Sequence, residues 1–367
     1  MTELGFSEEV IDRISHSVRK STLKVYEGKW STFFAWCARK QLDPFGLEIA
    51  SLCDFFNHLF VDKKLEVRTI EGYRSAISKV WSLAGIKDLS NDVYLRALFN
   101  NFALERPLSK GSNYPKWDLR LVLDSLGKAL YEPLSKAPIN LVTQKTVFLL
   151  LLASGARRSE VHAIDVNRIV FDNDGKSVLL RPRPGFLAKN HNVRTGFGEF
   201  FGFTIKSLKE FVGPDLREDA LLCPLRALKY YLKASESRRG GIAELFITCK
   251  EPVRAAHKNT ITAWVKTVLS RAYNDSQESA DMSRPAHELR AVGPSLAVYN
   301  CVSVDDVMAQ CRWRQHNTFT SFYLRDLALL ESEGFGLPPV FAAGNALCPS
   351  SHSSAAGSLH RKKQRKS

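Results

Sequence analysis

Arg157, Lys189, His287, Arg290, Trp313 and Tyr323 follow one another along the chain, each inside a distinctive local word. Their types divide the work of moving a group at an oxyanion. A guanidinium fork neutralises two oxygens with geometric fit. A lysine or histidine can pass a proton. An indole N–H donates one hydrogen bond and takes no proton. A tyrosine oxygen, with a free pKa of about 10, becomes a nucleophile only where neighbours favour its phenolate.

The words are Ser154-Gly155-Ala156-Arg157-Arg158-Ser159-Glu160-Val161, then Phe186-Leu187-Ala188-Lys189-Asn190, then His287-Glu288-Leu289-Arg290. The last is Trp313 followed ten residues later by Tyr323, within Phe319-Thr320-Ser321-Phe322-Tyr323-Leu324-Arg325-Asp326. His287 and Arg290 share one helical face at i, i+3. Each residue also has an ordinary reading. Arg157 could be a helix-end cation bonded to carbonyls, His287 a helix N-terminal residue satisfied locally, and Tyr323 a core tyrosine on a Phe-rich helix. Arg158 rivals Arg157, Lys206 rivals Lys189, and His316 could be mistaken for a proton carrier near Tyr323. Glu160 is expected to brace Arg157 or His287, or to make an ordinary helix salt bridge. The chain has no clustered Asp/Glu set of the kind that holds two Mg²⁺, no Gly-rich phosphate loop and no Ser-centred nucleophile elbow, so neither metal nor cofactor is implied.

The elements around these words are mainly helical. Leu23, Tyr26, Trp30, Phe33, Phe34 and Cys37 make one apolar stripe. Leu52 to Phe60, Ile70 to Ala84, and Leu95 to Phe102 make three more, and four such helices predict a small N-terminal bundle over 1–106. Residues 107–116 break the period with Pro, Gly and small polar residues, as a linker does. From Trp117 helices return, and a strongly apolar one spans Thr143 to Ala153. The period then changes. Ile169-Val170-Phe171, the turn Asp172 to Gly175 and Ser177 to Arg181 read as a hairpin, with a further strand between Thr195 and Ile205. Helices follow at Leu225–Leu232, Ile261–Tyr273 and His287–Tyr299, where Pro294 would kink the helix, and between Val304 and Glu331. The fold class is therefore mainly α with a small antiparallel β-sheet. Residues 117–333 form the second domain and 334–367 a flexible basic tail.

In order and spacing, the words resemble the catalytic signature of the tyrosine recombinase (phage integrase) family: small-Gly-x-Arg-x-Ser-Glu, a hairpin Lys, His-x-x-Arg, a His or Trp, and a C-terminal Tyr. The resemblance covers roughly residues 15–330. The stretches around Lys189 and from Trp313 to Asp326 look most like recombinases of eukaryotic DIRS- and Ngaro-type retrotransposons. It implies a helical, SAM-like core-binding domain and a mixed α/β catalytic domain closing as a C-shaped clamp on double-stranded DNA. Two to four protomers would synapse as a dimer or tetramer. It implies a 3′-phosphotyrosyl intermediate with Tyr323 as nucleophile, Arg157 and Arg290 on the phosphate oxygens, and Lys189 as leaving-group acid. His287 would serve a phosphate oxygen or the tyrosine proton. Trp313 stands where many members have His. Arg19, Lys20, Thr22, Lys24, Arg68, Thr69 and Arg74, on the first domain's polar faces, become candidates for DNA contact. The rivals are a catalytically inactive DNA-binding derivative and a type IB topoisomerase-like enzyme, which shares the phosphotyrosine step.

Bulk properties agree with an anionic partner. The 367 residues carry 52 Lys+Arg against 38 Asp+Glu, a formal charge of +14. The tail ends His360-Arg361-Lys362-Lys363-Gln364-Arg365-Lys366-Ser367, as a nuclear-import signal or nucleic-acid arm does, so a nuclear location is expected, or a cytoplasmic one in a prokaryote. The seven cysteines are scattered, with no CxxC spacing, which fits a reducing compartment. The longest apolar run, Val147 to Ala153, is far short of the ~20 residues a bilayer span requires, and the first residues have no secretory pattern.

Overall fold

A computed structural model describes residues 7–15, 17–86, 88–89, 91–107, 117–189, 191–196, 199–208, 220–274, 285–299, 302–313 and 315–325. The chain divides into two compact units, 1–111 and 112–367. The segment expected to be a linker lies almost wholly outside the described residues, and the basic tail entirely so.

The first unit is helical: α1 (Glu8–Ser15), α2 (Lys20–Lys40), α3 (Ile49–Val61), α4 (Val67–Leu83) and α5 (Val93–Glu105). Helix α2 packs on α4, and α3 on α4 and α5. The apolar stripes meet in one aromatic core that includes Phe33, Phe55, Phe56, Trp81, Phe99 and Phe102. Phe60 and Phe102 stack with ring centroids 4.1 Å apart. Asp92 caps α5 by accepting from the Tyr94 and Leu95 amides. Phe34 departs from the expected stripe and is 51% exposed, because one residue's advance turns it about 100° from Phe33. The short α1, with Val10, Ile11 and Ile14 on one side, is one helix more than the four stripes predicted.

The second unit is built on α6 (Leu119–Gly127) and α7 (Ile139–Ser154), followed by α8 (Arg158–His162). Next come β1 (Ile164–Phe171), β2 (Ser177–Pro182) and β3 (Phe203–Lys206), one antiparallel sheet in sequential order. Helices α9 (Pro224–Arg239), α10 (Lys258–Asn274), α11 (Pro285–Tyr299), α12 (Val304–Cys311) and α13 (His316–Phe322) complete it. The hairpin turns where Asp172 to Gly175 predicted it. Phe171 pairs with Val178, and Leu180 with Phe203. The third strand is far shorter than the stretch from Thr195 suggested.

Helix α7 is the axis of this unit. It is buried from Leu141 to Ser154 and packs against α9, α10 and α11. Its second half, Val147 to Ala153, is apolar on every side, as a central helix is. The helix holds one buried cation, Lys145, whose ammonium bonds Glu132 at 2.5 Å and the Leu126 carbonyl at 2.7 Å. Arg226 grips the same carboxylate at 2.7 and 2.8 Å. Burial pulls Lys145 down to about 8, against the pull of Glu132. Glu132→Gln keeps the shape but strips the counter-charge from a fully enclosed lysine. It is expected to cost about 2 kcal/mol of unfolding free energy, read as a lower urea midpoint at unchanged slope; an unchanged midpoint would contradict it.

Candidate active site

The site begins where α7 stops. Gly155 ends the helix in the left-handed region, φ +55°, which favours glycine. Space demands glycine too, since a Cβ there would lie 2.6 Å from the Cys311 Sγ. Two residues on, Arg157 is the N-cap of α8, extended just before its first residue. Glu160 reaches back to it twice, accepting from the Arg157 amide and from its Nη1, both at 2.9 Å. Glu160 is 1% exposed and also accepts from Arg312 at 3.1 Å. Burial pushes this carboxyl up, but Arg312, Arg290, Arg157 and the Arg157 amide outweigh that and hold it below the usual carboxylate range. Glu160 is therefore an ionised brace that fixes one arginine with another.

Arg157 keeps part of its side chain open and lines a cleft with Lys189, His191, Trp313, Gln315, Thr318 and Tyr323. The cleft continues past His287, Arg290 and Thr262. Lys189 is exposed on the connection between β2 and β3. Lys206 pairs with Ser177, at the end of β2 away from that connection. Arg158 also lines the cleft's continuation and donates to the Thr262 hydroxyl at 2.8 Å. His316 is exposed and lies 3.2 Å from Asp305. Arg157, Lys189 and Trp313 line the cleft with Tyr323, and Arg158 lines its continuation with Arg157 and Tyr323.

Tyr323 follows α13, its amide bonded to the Phe319 carbonyl at 2.8 Å. Its ring packs against two others. The His287 ring stacks on it with centroids 5.0 Å apart, and Trp313 tilts against it at 4.7 Å. Trp313 in turn stacks on the buried Phe319 at 4.9 Å.

Arg290 is placed differently from Arg157. It is 2% exposed, and its fork is turned into the protein. One terminal nitrogen bonds the Gly155 carbonyl and the other the Cys311 carbonyl, the latter at 2.6 Å. Its guanidinium lies 4.9 Å from the Trp313 ring centre and 5.8 Å from that of Tyr323. Arg290 thus ties the ends of α7 and α12 together beneath the cleft. Pro294 sits inside α11, which continues through it as one helix. His287 and Arg290 precede it by a turn or more, and what is missing is the N–H that would reach the Arg290 carbonyl.

In the first unit, Arg19, Lys20, Thr22 and Lys24 lie at the start of α2, and Arg68, Thr69 and Arg74 on α4. Lys20, Lys24, Arg68 and Thr69 are exposed. Arg74 is half-buried, bonds the Leu89 carbonyl at 3.3 Å and lies over Phe99, so packing uses part of it. It also lines a polar cleft with Tyr26, Glu71, Ser75, Ser78 and Lys79.

No protein-family model matches the chain. Over 233 residues it is 23% identical to an integrase/recombinase XerD homologue of Selenomonas ruminantium. That match covers 63% of this chain and 61% of the relative, so the chain spans less than two thirds of the relative's length. Among solved structures it is similar to the XerH site-specific recombinase bound to palindromic difH substrate in a post-cleavage complex. The TM-score is 0.52 at 14% identity, over 82% of this chain and 75% of that one. The fold is that of the tyrosine recombinases. A Tn1549 transposon integrase in complex with transposon right-end DNA is similar at a TM-score of 0.50 and 10% identity, over 85% of this chain and 91% of that one. The curated relative is named an integrase/recombinase, and the structural neighbours share this chain's fold.

On this recombinase fold, several residues beside the cleft went unnoticed in the sequence. Arg312 adopts φ +56° and pairs with Glu160, and His191, Gln315 and Thr318 line the cleft. No local period marks any of them. The one available signal was for Arg312, an arginine directly before Trp313 and just past the end of a predicted helix.

Proposed function

We propose that this chain is a site-specific recombinase or integrase that cuts and rejoins double-stranded DNA through a 3′-phosphotyrosyl intermediate. The observation that carries the reading is the convergence of Tyr323, Arg157 and Lys189 on one cleft, with the Tyr323 ring packed against both His287 and Trp313. The Tyr323 oxygen bonds to phosphorus and releases its proton to water in the open cleft. The bond from phosphorus to the 5′-oxygen breaks, and that oxygen takes a proton from Lys189. A 5′-hydroxyl from another strand then attacks the phosphotyrosine and frees the phenol. One phosphodiester is exchanged for another, so the sequence balances without a nucleotide or metal.

Arg157 faces the cleft and neutralises a non-bridging oxygen. His287 meets Tyr323 face to face, a geometry that leaves its ring edge for the phosphate rather than for the phenol. Trp313 Nε1 and Arg290 Nε are buried donors with no acceptor among the described residues. Each such group costs about 1–3 kcal/mol, and an incoming phosphate that reached them would relieve it. The exposed cations of α2 and α4 hold the duplex, and two to four copies bring two sites together. The words around Lys189 and Tyr323 support a mobile element of the DIRS or Ngaro kind, and the basic tail supports a nuclear location.

Capture on a nicked duplex tests the reading, because loss of the short downstream strand traps the covalent intermediate. The expected result is protein linked to a DNA 3′ end. Binding without any adduct would favour an inactive DNA-binding derivative, and relaxation of a plasmid lacking any recombination site would favour a topoisomerase-like enzyme. The same assay assigns the acid. Lys189→Ala is expected to be slow on ordinary DNA and rescued by a bridging 5′-phosphorothiolate, because a thiol of pKa about 8.5 leaves without protonation. Arg157→Ala should gain nothing from the sulfur, since its charge serves the non-bridging oxygens. Equal rescue of both, or of neither, would remove Lys189 from the role and turn attention to Lys206.

A further inference from the structure

Two anchors join the chain around Tyr323 to α11, the helix that carries His287 and Arg290. The first is Ser295, which is 1% exposed. Its hydroxyl lies 3.1 Å from the Tyr323 carbonyl and 2.8 Å from that of Ala291, and it accepts from the Arg325 amide at 2.9 Å. The second is Glu288, which is 2% exposed and sits between His287 and Arg290 in sequence. Arg325 grips its two oxygens with Nε at 2.8 Å and Nη2 at 2.9 Å, a two-pronged ion pair away from solvent. Tyr323 is therefore fixed through its own carbonyl and again two residues later, both times to the helix whose first turn supplies the ring stacked on it.

We infer that Glu288, Arg325 and Ser295 form a latch that seats Tyr323 in the site of its own chain and sets the position of its oxygen. They are positioning residues, and the inference rests on the recombinase reading above. A surface ion pair of this kind would count for little. This one is buried, has the fork geometry that lysine cannot copy, and lies two residues from the attacking oxygen's own residue. A displacement of about 1 Å at a nucleophile can cost on the order of 100-fold in rate.

Arg325→Ala is accordingly expected to slow adduct formation on nicked DNA about 100-fold, with DNA affinity unchanged. Glu288→Gln should fall between it and the unaltered chain, and Arg325→Lys should restore little. A second arm separates positioning from general damage. In Tyr323→Phe, hydrogen peroxide supplies the nucleophile: a hydroperoxide oxygen bonds to phosphorus, and the 5′-oxygen leaves protonated. Adding Arg325→Ala to that protein should leave peroxide-driven nicking unchanged, because Arg157 and Lys189 are untouched. If nicking falls as far as adduct formation does, or if adduct formation does not fall, the latch is refuted. A third arm needs no chemistry. Amide hydrogen exchange at Tyr323, Leu324 and Arg325 should quicken in Arg325→Ala and in Ser295→Ala, while that of α7 does not. Should the unaltered chain form no adduct and Tyr323→Phe no peroxide nick, the recombinase reading fails, and unchanged exchange at these three amides would then still overturn the latch.

Discussion

Tyr323→Phe will bind DNA as the unaltered chain does and form no covalent adduct. The substitution removes one oxygen and leaves the ring, so the stacking on His287 and the packing on Trp313 persist. The Ser295 anchor also persists, because it holds the Tyr323 main chain. Little of the fold depends on the phenol, yet under the proposed mechanism no other group can form the bond to phosphorus. A gel shift should show unchanged affinity, since many Lys and Arg share the phosphate backbone. Denaturing electrophoresis of the nicked-duplex reaction should show no slowed protein band. An adduct in this variant would move the nucleophile elsewhere.

Arg157→Ala is the other large effect. Loss of one charge partner of a developing oxyanion costs about 10²–10³ in rate, or about 3–4 kcal/mol of transition-state stabilisation. Glu160 would keep Arg312, so the buried carboxylate is not stranded and the local fold survives. Affinity for uncleaved DNA should change far less than the cleavage rate. Arg290→Ala makes the contrast. It too should slow cleavage by orders of magnitude, but it leaves the Gly155 and Cys311 carbonyls without their donors, so it should also lower the melting temperature. A near-normal rate for Arg157→Ala together with a lost one for Arg158→Ala would exchange the two assignments.

What could be read from the sequence was what local periodicity encodes. The stripes of α2 to α5, the apolar run Val147 to Ala153 of α7 and the hairpin turn all follow from patterns within some fifteen residues. The i, i+3 spacing put His287 and Arg290 on one helix, and the order of the words brought Lys189 and Tyr323 towards the same cleft. The rest depended on partners far away in the chain. Nothing near Arg290 tells that its fork faces Gly155, 135 residues earlier. The Glu288–Arg325 pair spans 37 residues, and Glu160–Arg312 spans 152. Such pairs are fixed by tertiary packing. The third strand was over-read because its Phe- and Gly-rich approach has strand composition, whereas only Phe203–Lys206 pairs with β2.

Gly155 has a consequence for how such a chain can drift over generations. It lies outside the roles proposed for chemistry, yet its carbonyl holds Arg290 and its missing side chain makes room for Cys311. A methyl group there would press on α12 and, through it, on the Trp313 that follows. Inheritance would therefore guard this position as strictly as any that meets DNA. The neighbouring Cys311 would be confined to small residues for the same reason, while Gly155 is held by its backbone conformation as well, so a smaller residue at Cys311 would not free it to change.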